Sequence, residues 1–205
     1  MSQDQKELIN ELIPYTDFKK PSKHMLIDLI NWTNRKSMTT RLEYDQVLFS
    51  TPAKAAEGAD MNTLIRFTKV AGYKLTGDEE IQYNRLDIDQ LAKLMNFTGS
   101  LQLDPNVTYK TMLDILPALF EQFPVYLDEN DIHADELRID FRYIDPDHRG
   151  EEGYGIPVVL RVKDESIGYY GKLILEIHPK PIRLKTAIQT TAMPGFVYTP
   201  THGLS

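Results

Sequence analysis

The sequence contains no cysteine among its 205 residues. Disulfide bonds, thiolate nucleophiles, cysteine-ligated zinc and iron–sulfur clusters are therefore excluded as features of this chain. Long hydrophobic runs are missing as well. The longest runs, such as residues 115–120, fall far short of the roughly 18 apolar residues that a membrane-spanning helix needs. We therefore expect no membrane partner.

Basic residues are also fewer than acidic ones. The chain has 23 Lys+Arg residues against 30 Asp+Glu residues, which gives a formal net charge of −7. Non-specific binding to a phosphate backbone requires a basic face, so nucleic acid is not an expected partner. The first residues show neither the basic leader nor the apolar core of a secretory signal peptide. We expect synthesis and folding in a reducing cytoplasm.

The usual sequence signatures of catalysis and cofactor binding are absent. The chain has no Gly-x-Ser-x-Gly elbow and no glycine-rich phosphate loop, and its five histidines form no His-x-x-x-His pair. Residues 145–155 imitate the start of a calcium loop. Arg149 and Ile156, however, occupy positions where an EF-hand requires oxygen ligands. The sequence therefore predicts no catalytic residue, no metal site and no cofactor.

The helical and strand-like patterns that the sequence does contain predict an α+β fold. Residues 1–38 are predicted to form an N-terminal helical segment. Two β-rich modules with antiparallel hairpins or sheets and intervening helices follow, the first at residues 39–103 and the second, an α+β module, at residues 104–180. Residues 181–205 are predicted to be an extended C-terminal tail, because prolines interrupt any regular pattern there.

Four helices are predicted, each from a starting or capping residue followed by apolar residues at helical spacing. Ser2, Asp87 and Thr108 are the predicted caps of three of them, and the remaining helix is predicted to start after Pro21-Ser22. Pro14 should end the first helix, and Pro117 should kink or divide the last one.

The strands are predicted from alternation and from turn residues. Residues 62–86 predict a β-hairpin punctuated by glycines, and residues 137–143 show the cleanest alternation in the chain. Residues 156–162 and 171–177 predict a second hairpin. The two hairpins resemble each other weakly, with Gly77 aligned on Gly171. A duplicated hairpin and a chance likeness between two ordinary hairpins both fit this pattern.

Aromatic residues are the main clue to binding. The chain has 11 Tyr, 8 Phe and 1 Trp. Tyr169 and Tyr170 fall in a predicted bend, and Phe196 and Tyr198 fall in the predicted tail. Aromatic side chains at such positions suit protein interfaces, because they bury a large area at low entropic cost. These four residues are the interface candidates; the alternatives are packing of the tyrosines beneath their own hairpin and a disordered tail.

Several stretches resemble modules of virion structural proteins from large tailed bacteriophages. The stretches in the first module are residues 29–34 (Leu-Ile-Asn-Trp-Thr-Asn), 42–47 (Leu-Glu-Tyr-Asp-Gln-Val), 51–52 (Thr-Pro), 62–63 (Asn-Thr), the Gly-x-x-x-x-Gly bend at 72–77, and 81–87 (Ile-Gln-Tyr-Asn-Arg-Leu-Asp). The segment Tyr-Asn-Arg-Leu-Asp at 83–87 is the most distinctive. The stretches in the companion module are residues 111–119 (Thr-Met-Leu-Asp-Ile-Leu-Pro-Ala-Leu), 127–132 (Leu-Asp-Glu-Asn-Asp-Ile) and 164–171 (Asp-Glu-Ser-Ile-Gly-Tyr-Tyr-Gly). The bend at 73–76 departs from the pattern, being poorer in glycine and serine.

The resemblance covers residues 29–177 and implies a structural role in virion assembly, with no catalytic residue to carry over. The resemblance does not distinguish tail, baseplate, neck and head. We predict a subunit of the tail, baseplate or neck, synthesised in the host cytoplasm and located in the virion. Its partners would be other virion structural proteins and copies of itself. The alternative is a sandwich-like carbohydrate- or receptor-binding module of the particle that uses the 145–155 loop. An enzyme whose site is assembled from distant acids and His148 is a third possibility.

Overall fold

The structure is a computed structural model, and it describes residues 16–75, 77–144, 151 and 153–181. These residues form an α+β fold, as the sequence predicts. The α-helices are α1 (Ser22–Thr33), α2 (Ile88–Leu94) and α3 (Leu116–Gln122), and the 3₁₀ helices are Met112–Ile115 and Phe141–Tyr143. The strands are β1 (Val47–Phe49), β2 (Ala53–Lys54), β3 (Thr63–Lys69), β4 (Asp78–Tyr83), β5 (Leu86–Asp87), β6 (Ser100–Leu103), β7 (Ile156–Arg161), β8 (Tyr169–Tyr170) and β9 (Lys172–Pro179).

The strands form three sheets, which we call A, B and C. In sheet A, β3 pairs with β1 and β2 along one side and with β4 along the other, always antiparallel. Sheet B consists of β5 and β8 in parallel. Sheet C has the order β6-β9-β7, in which β6 is parallel and β7 antiparallel to β9. Both hairpins predicted from the sequence are confirmed, as β3–β4 and β7–β9.

The two hairpins share a layout but not a register. Each return strand begins directly after a glycine with positive φ. When Gly77 is aligned on Gly171, Thr63 aligns with Pro157 and Tyr83 aligns with Ile177. Thr63 pairs with Tyr83, but Ile177 pairs with Ile156 rather than with Pro157. A shift of one residue exchanges the two faces of a strand. Equivalent positions of β3 and β7 therefore point to opposite sides, and the likeness is one of layout only.

The apolar core is divided into two clusters. The large cluster lies between sheet C and helices α2 and α3. Its fully buried members include Ile88, Leu101, Ile115, Phe123, Ile132, Leu160, Leu175 and Ile177. The small cluster packs α1 against sheet A and consists of Leu26, Ile65 and Tyr83, flanked by Leu29, Ile30, Phe49, Ile81 and Ile167. Helix α1 contributes to both clusters, because its Met25 belongs to the large one.

Strand β6 crosses the boundary that the sequence predicts between the two modules. Residues 100–103 fall in the predicted first module, yet β6 pairs with β9 in the second. Its Leu101 and Leu103 are buried in the large cluster. The packing therefore extends the second β-rich unit back across residue 103.

Residues 137–143 are not a strand, which corrects the prediction made from their alternation. Asp140 accepts a hydrogen bond from the Arg142 backbone N–H and starts the 3₁₀ helix Phe141–Tyr143. Its carboxylate also binds the Arg142 guanidinium, with N–O distances of 2.8 and 2.6 Å. This local turn satisfies the backbone without a partner strand, an option that alternation alone does not reveal.

The starts of α1 and α2 agree with the sequence. Helix α1 begins directly after Pro21. The Asp87 carboxylate caps α2 by accepting hydrogen bonds from the backbone N–H groups of Asp89 and Gln90. Both helices thus begin where a residue with a defined local role predicts it.

The start predicted at Thr108 is wrong by three residues. Thr111, not Thr108, begins the helical stretch, and it forms a capping box with Asp114. The 3₁₀ helix Met112–Ile115 then leads into α3, where Pro117 is the second residue. Proline is tolerated there because the N–H groups of a first helical turn have no partner within the helix. The predicted division of this helix near Pro117 is confirmed.

Other predictions fall outside the described residues. They are the first helix, predicted to end at Pro14, most of the predicted 145–155 loop, and the predicted tail from residue 182 onward. Among the described residues, no helix combines the length and apolar character needed to cross a bilayer.

Candidate interface site

The 83–87 segment, which carries the most distinctive part of the resemblance, joins sheet A to the loop between β7 and β9. We call it the junction segment. The Tyr83 hydroxyl donates to the Ile167 carbonyl at 2.8 Å. The Leu86 backbone N–H donates to the Gly168 carbonyl at 2.9 Å, and β5 pairs with β8 immediately afterwards. The junction segment therefore connects the two β-rich parts through both side chains and backbone.

Arg85 is the central residue of the junction segment. Its guanidinium donates to the backbone carbonyl oxygens of Asp164 and Ser166 at 2.8 and 3.1 Å. The guanidinium is turned toward these carbonyls rather than toward Asp87 or Asp89. A guanidinium that binds backbone acceptors across two segments has a structural role.

Asn62 completes the junction by acting as a strand-like partner for Arg85. Its side-chain oxygen accepts from the Arg85 backbone N–H, and its side-chain nitrogen donates to the Arg85 carbonyl, both at 2.9 Å. The Asn62 backbone N–H in turn donates to the Asn84 side-chain oxygen at 2.8 Å. The polar groups of this motif are thus used inside the fold rather than offered to a ligand.

A buried carboxylate lies beside the junction segment. Asp131 is only 1% exposed, and its Oδ1 accepts hydrogen bonds from the hydroxyl groups of Ser22 at 2.9 Å and Ser166 at 2.6 Å. Its Oδ2 has no hydrogen-bond partner among the described residues. Burial raises the pKa of the Asp131 carboxyl above its ordinary range, although the two serine hydroxyls act in the opposite direction. This group ties the start of α1 to two loops.

The structure separates the two adjacent tyrosines that the sequence offers as interface candidates. Tyr169 is fully buried in the large cluster, and its hydroxyl lies 3.6 Å from the Met25 sulfur. The folded chain cannot offer Tyr169 to a partner, which corrects that prediction. Tyr170 is 38% exposed, so its interface role stays a prediction. Phe196 and Tyr198 lie outside the described residues.

An exposed apolar surface that the sequence analysis missed lies on sheet C. Val159 and Ile174 form a cross-strand pair and are 44% and 62% exposed. Pro157 points to the same side of β7 and is also exposed. We call these three residues the outer face of sheet C. Strand β7 carries apolar residues on both sides, so its sequence does not reveal which side the core covers. On β9, Ile174 is the one apolar residue on a side that otherwise carries Lys172, Glu176 and His178.

The same side of sheet C is covered at its other end. Along β9 the outward positions run from Ile174 through Glu176 to His178, and His178 is only 1% exposed. The Gly155 backbone N–H donates to the Glu176 carboxylate at 2.7 Å. A Cβ on Gly155 would lie 2.5 Å from Glu176 Cγ and 2.8 Å from the His178 ring, so glycine permits this close approach. Neither ring nitrogen has a hydrogen-bond partner among the described residues.

The outer face of sheet C exposes apolar side chains to solvent. Exposed aliphatic side chains at paired strand positions can be buried against another protein surface. Within the described ranges, no group of three or more His, Asp or Glu residues is arranged to hold a metal ion.

Comparison with known proteins gives one match. A family model described as "Family of unknown function (DUF7941)" matches residues 16–204, which include the junction segment and all three sheets. No curated protein and no solved structure matches the chain. Because the family model covers nearly the whole sequence, the chain belongs to the DUF7941 family.

Proposed function

We propose that this protein is a structural subunit of a tailed-bacteriophage virion that assembles through protein–protein contacts in the tail, baseplate or neck. The virion setting rests on the resemblance of residues 29–177 to virion modules. The binding role rests on one structural observation, the exposed cross-strand pair of Val159 and Ile174 on the outer face of sheet C.

The use of the family-like residues supports a structural role. The side chains of Arg85 and Asn62 form their hydrogen bonds within the fold, with backbone atoms and with the Thr63 hydroxyl. The junction segment thereby fixes sheet A relative to the 163–168 loop. A subunit that must present the same surface in every copy of a particle needs this kind of rigid internal connection.

The charge of the chain fits a subunit that is made free and then assembled. A net charge of −7 gives free copies a mutual repulsion that keeps them soluble. The outer face of sheet C is small enough to stay exposed in a free copy, and it becomes buried when a neighbour covers it. Contacts between two different surfaces of neighbouring copies generate rings, the arrangement that a tail or neck requires.

Incorporation into purified virions tests the proposal. In a phage whose genome encodes the chain, quantitative mass spectrometry of particles should find it at a fixed copy number. Ile174→Asp should lower its incorporation about tenfold by placing a charge in the buried contact. Leu48→Asp is the matched control, since Leu48 is a 56% exposed strand residue on sheet A. Absence of the chain from virions, or equal effects of both variants, would contradict the proposal.

A further inference from the structure

Strand β4 forms the longest unpaired edge of sheet A. It pairs with β3 along one side only, and no strand in the described part of the chain covers its other side. A free edge strand exposes a row of backbone N–H and C=O groups that can pair with another strand. On the opposite side of β3, by contrast, β1 and β2 are only three and two residues long.

Both edge strands of sheet C have features that hinder pairing with another strand, and β4 lacks them. The Gln122 side chain accepts from the Gln102 backbone N–H at 3.1 Å and donates to the Gln102 carbonyl at 3.2 Å, which blocks the edge of β6. Strand β7 carries Pro157, which has no N–H to offer. Strand β4 has neither device, so its backbone is accessible for pairing.

Charge gives the open edge of β4 a specific pattern. Ile81 and Tyr83 face the small cluster, so Asp78 and Glu80 point to the other side of the strand. Both carboxylates are exposed. Arg66 lies opposite Glu80 on β3, but within the described residues the two form no ion pair. A partner strand on this edge therefore needs basic residues at alternate positions.

The chain contains one segment with that pattern directly after β9. Arg183 and Lys185 are two residues apart and alternate with Ile182 and Leu184. Residues 182–205 contain no Asp or Glu, although the chain as a whole carries a net charge of −7. Because side chains alternate along a strand, two bases at this spacing can face two acids at the same spacing in either strand direction.

We propose that residues 182–188 of one copy add as a strand to β4 of a second copy, with Arg183 and Lys185 facing Asp78 and Glu80. Strand addition of this kind draws its affinity from backbone hydrogen bonds and its specificity from alternate side chains. Ile182 and Leu184 then lie on the same side as the small cluster. The contact rests on the proposed function in making a second copy the partner, but it can be measured on purified protein.

The position of the segment favours a second copy over the same chain. The segment follows β9 of sheet C, and the Lys180 backbone N–H, just after β9, donates to the Leu103 carbonyl of β6. The acceptor β4 belongs to sheet A, around the other cluster. Only Lys180 and Pro181 separate β9 from residue 182, so almost no linker is available to carry the segment from sheet C back to sheet A of the same chain. An exchange between two different surfaces is the head-to-tail contact that builds rings.

Disulfide trapping tests this contact, and the absence of native cysteine makes each introduced thiol unambiguous. Position 184 faces position 79 whether the added strand runs parallel or antiparallel. Full-length Glu79→Cys and Leu184→Cys chains are therefore mixed under mild oxidation. We expect a mixed disulfide to form about tenfold faster than between Leu184→Cys and a control Lys54→Cys chain, in which the thiol lies on β2.

Charge reversal then tests specificity. Adding Asp78→Lys and Glu80→Lys to the Glu79→Cys chain should return the rate to that of the control. Adding Arg183→Glu and Lys185→Glu to the Leu184→Cys chain should then restore the faster rate of disulfide formation. The proposal would be overturned if the Glu79→Cys and Leu184→Cys chains cross-linked no faster than the control, or if charge reversal left their rate unchanged. Preferential ring closure within one chain that carries both cysteines would also overturn it. Such a result would leave the virion role standing, because incorporation is measured separately.

Discussion

The large and small clusters show two ways of holding a sheet in place. Twenty buried apolar residues form the large cluster, whereas three form the small one. Hydrophobic stabilisation grows with the apolar area removed from water, so sheet C is held mainly by its own packing. Sheet A must depend more on polar bonds in the junction segment. Residues 83–87 therefore contribute most to stability where the apolar core is smallest.

This difference predicts unequal local stability. Regions with few buried apolar contacts open at a lower free energy than the core they are attached to. Sheet A should therefore open before sheet C, and variants in the two regions should have different consequences.

The largest effect is expected from a substitution in the large cluster. Phe123 is fully buried and stacks on Phe97 with ring centroids 5.0 Å apart. Phe123→Ala should lower the free energy of unfolding by about 3–5 kcal/mol, because it leaves a cavity in the core. Denaturant titration measures the loss. Phe120→Ala, at a 37% exposed position of α3, the helix that ends just before Phe123, is the control, and an equal loss there would argue against the packing account.

A smaller and more local effect is expected at the junction segment. Arg85→Ala removes hydrogen bonds to two backbone carbonyls and should cost about 1–3 kcal/mol. In native-state hydrogen exchange, amides of β3 and β4 should lose protection while those of β9 keep it. Arg66→Ala on β3 removes the same charge outside the junction and should leave protection unchanged. Equal loss of protection in both sheets would show that the junction does not hold sheet A specifically.

The buried Asp131 predicts a pH dependence. Since its pKa is raised in the folded chain, the unfolded chain loses this proton first as the pH rises above 3.8. The free energy of unfolding should therefore fall, relative to Asp131→Asn, from pH 3.8 upward through the raised pKa. Denaturant titration of both proteins across this range measures the difference. Asp60→Asn, at an exposed position, should keep the wild-type profile, and a flat difference for Asp131→Asn would contradict the effect of burial.

The smallest effect on stability is expected at the outer face of sheet C. Ile174→Thr should change the free energy of unfolding by no more than about 0.5 kcal/mol, because the side chain is 62% exposed. Leu175→Thr on the same strand should cost far more, since Leu175 is fully buried. Thermal unfolding of the two variants measures the contrast. Similar losses would mean that Ile174 also serves the core of the single chain.

Local signals in the sequence predicted local structure well. The Asp87 cap, the start of α1 and both hairpins depend on neighbouring residues, and all are confirmed. Alternation misled at residues 137–143, where Asp140 and Arg142 hold a turn instead. A side chain that bonds its own backbone is invisible to a periodicity argument.

The long-range features could not be predicted in this way. Sheet B and the pairing of β6 with β9 join segments far apart in the chain, and nothing in either segment specifies the partner. The burial of Tyr169 follows from sheet B and was missed with it. The outer face of sheet C was missed because β7 carries apolar residues on both sides, and because Ile174 is a single apolar residue on the polar side of β9.

Electron cryo-microscopy of whole virions tests the virion assignment most directly. In a phage that encodes the chain, we predict density for it at symmetric positions of the tail, baseplate or neck. The outer face of sheet C should lie against a neighbouring subunit there, with Val159 and Ile174 buried. Particles without this chain, or particles in which that face points to solvent in every copy, would contradict the account.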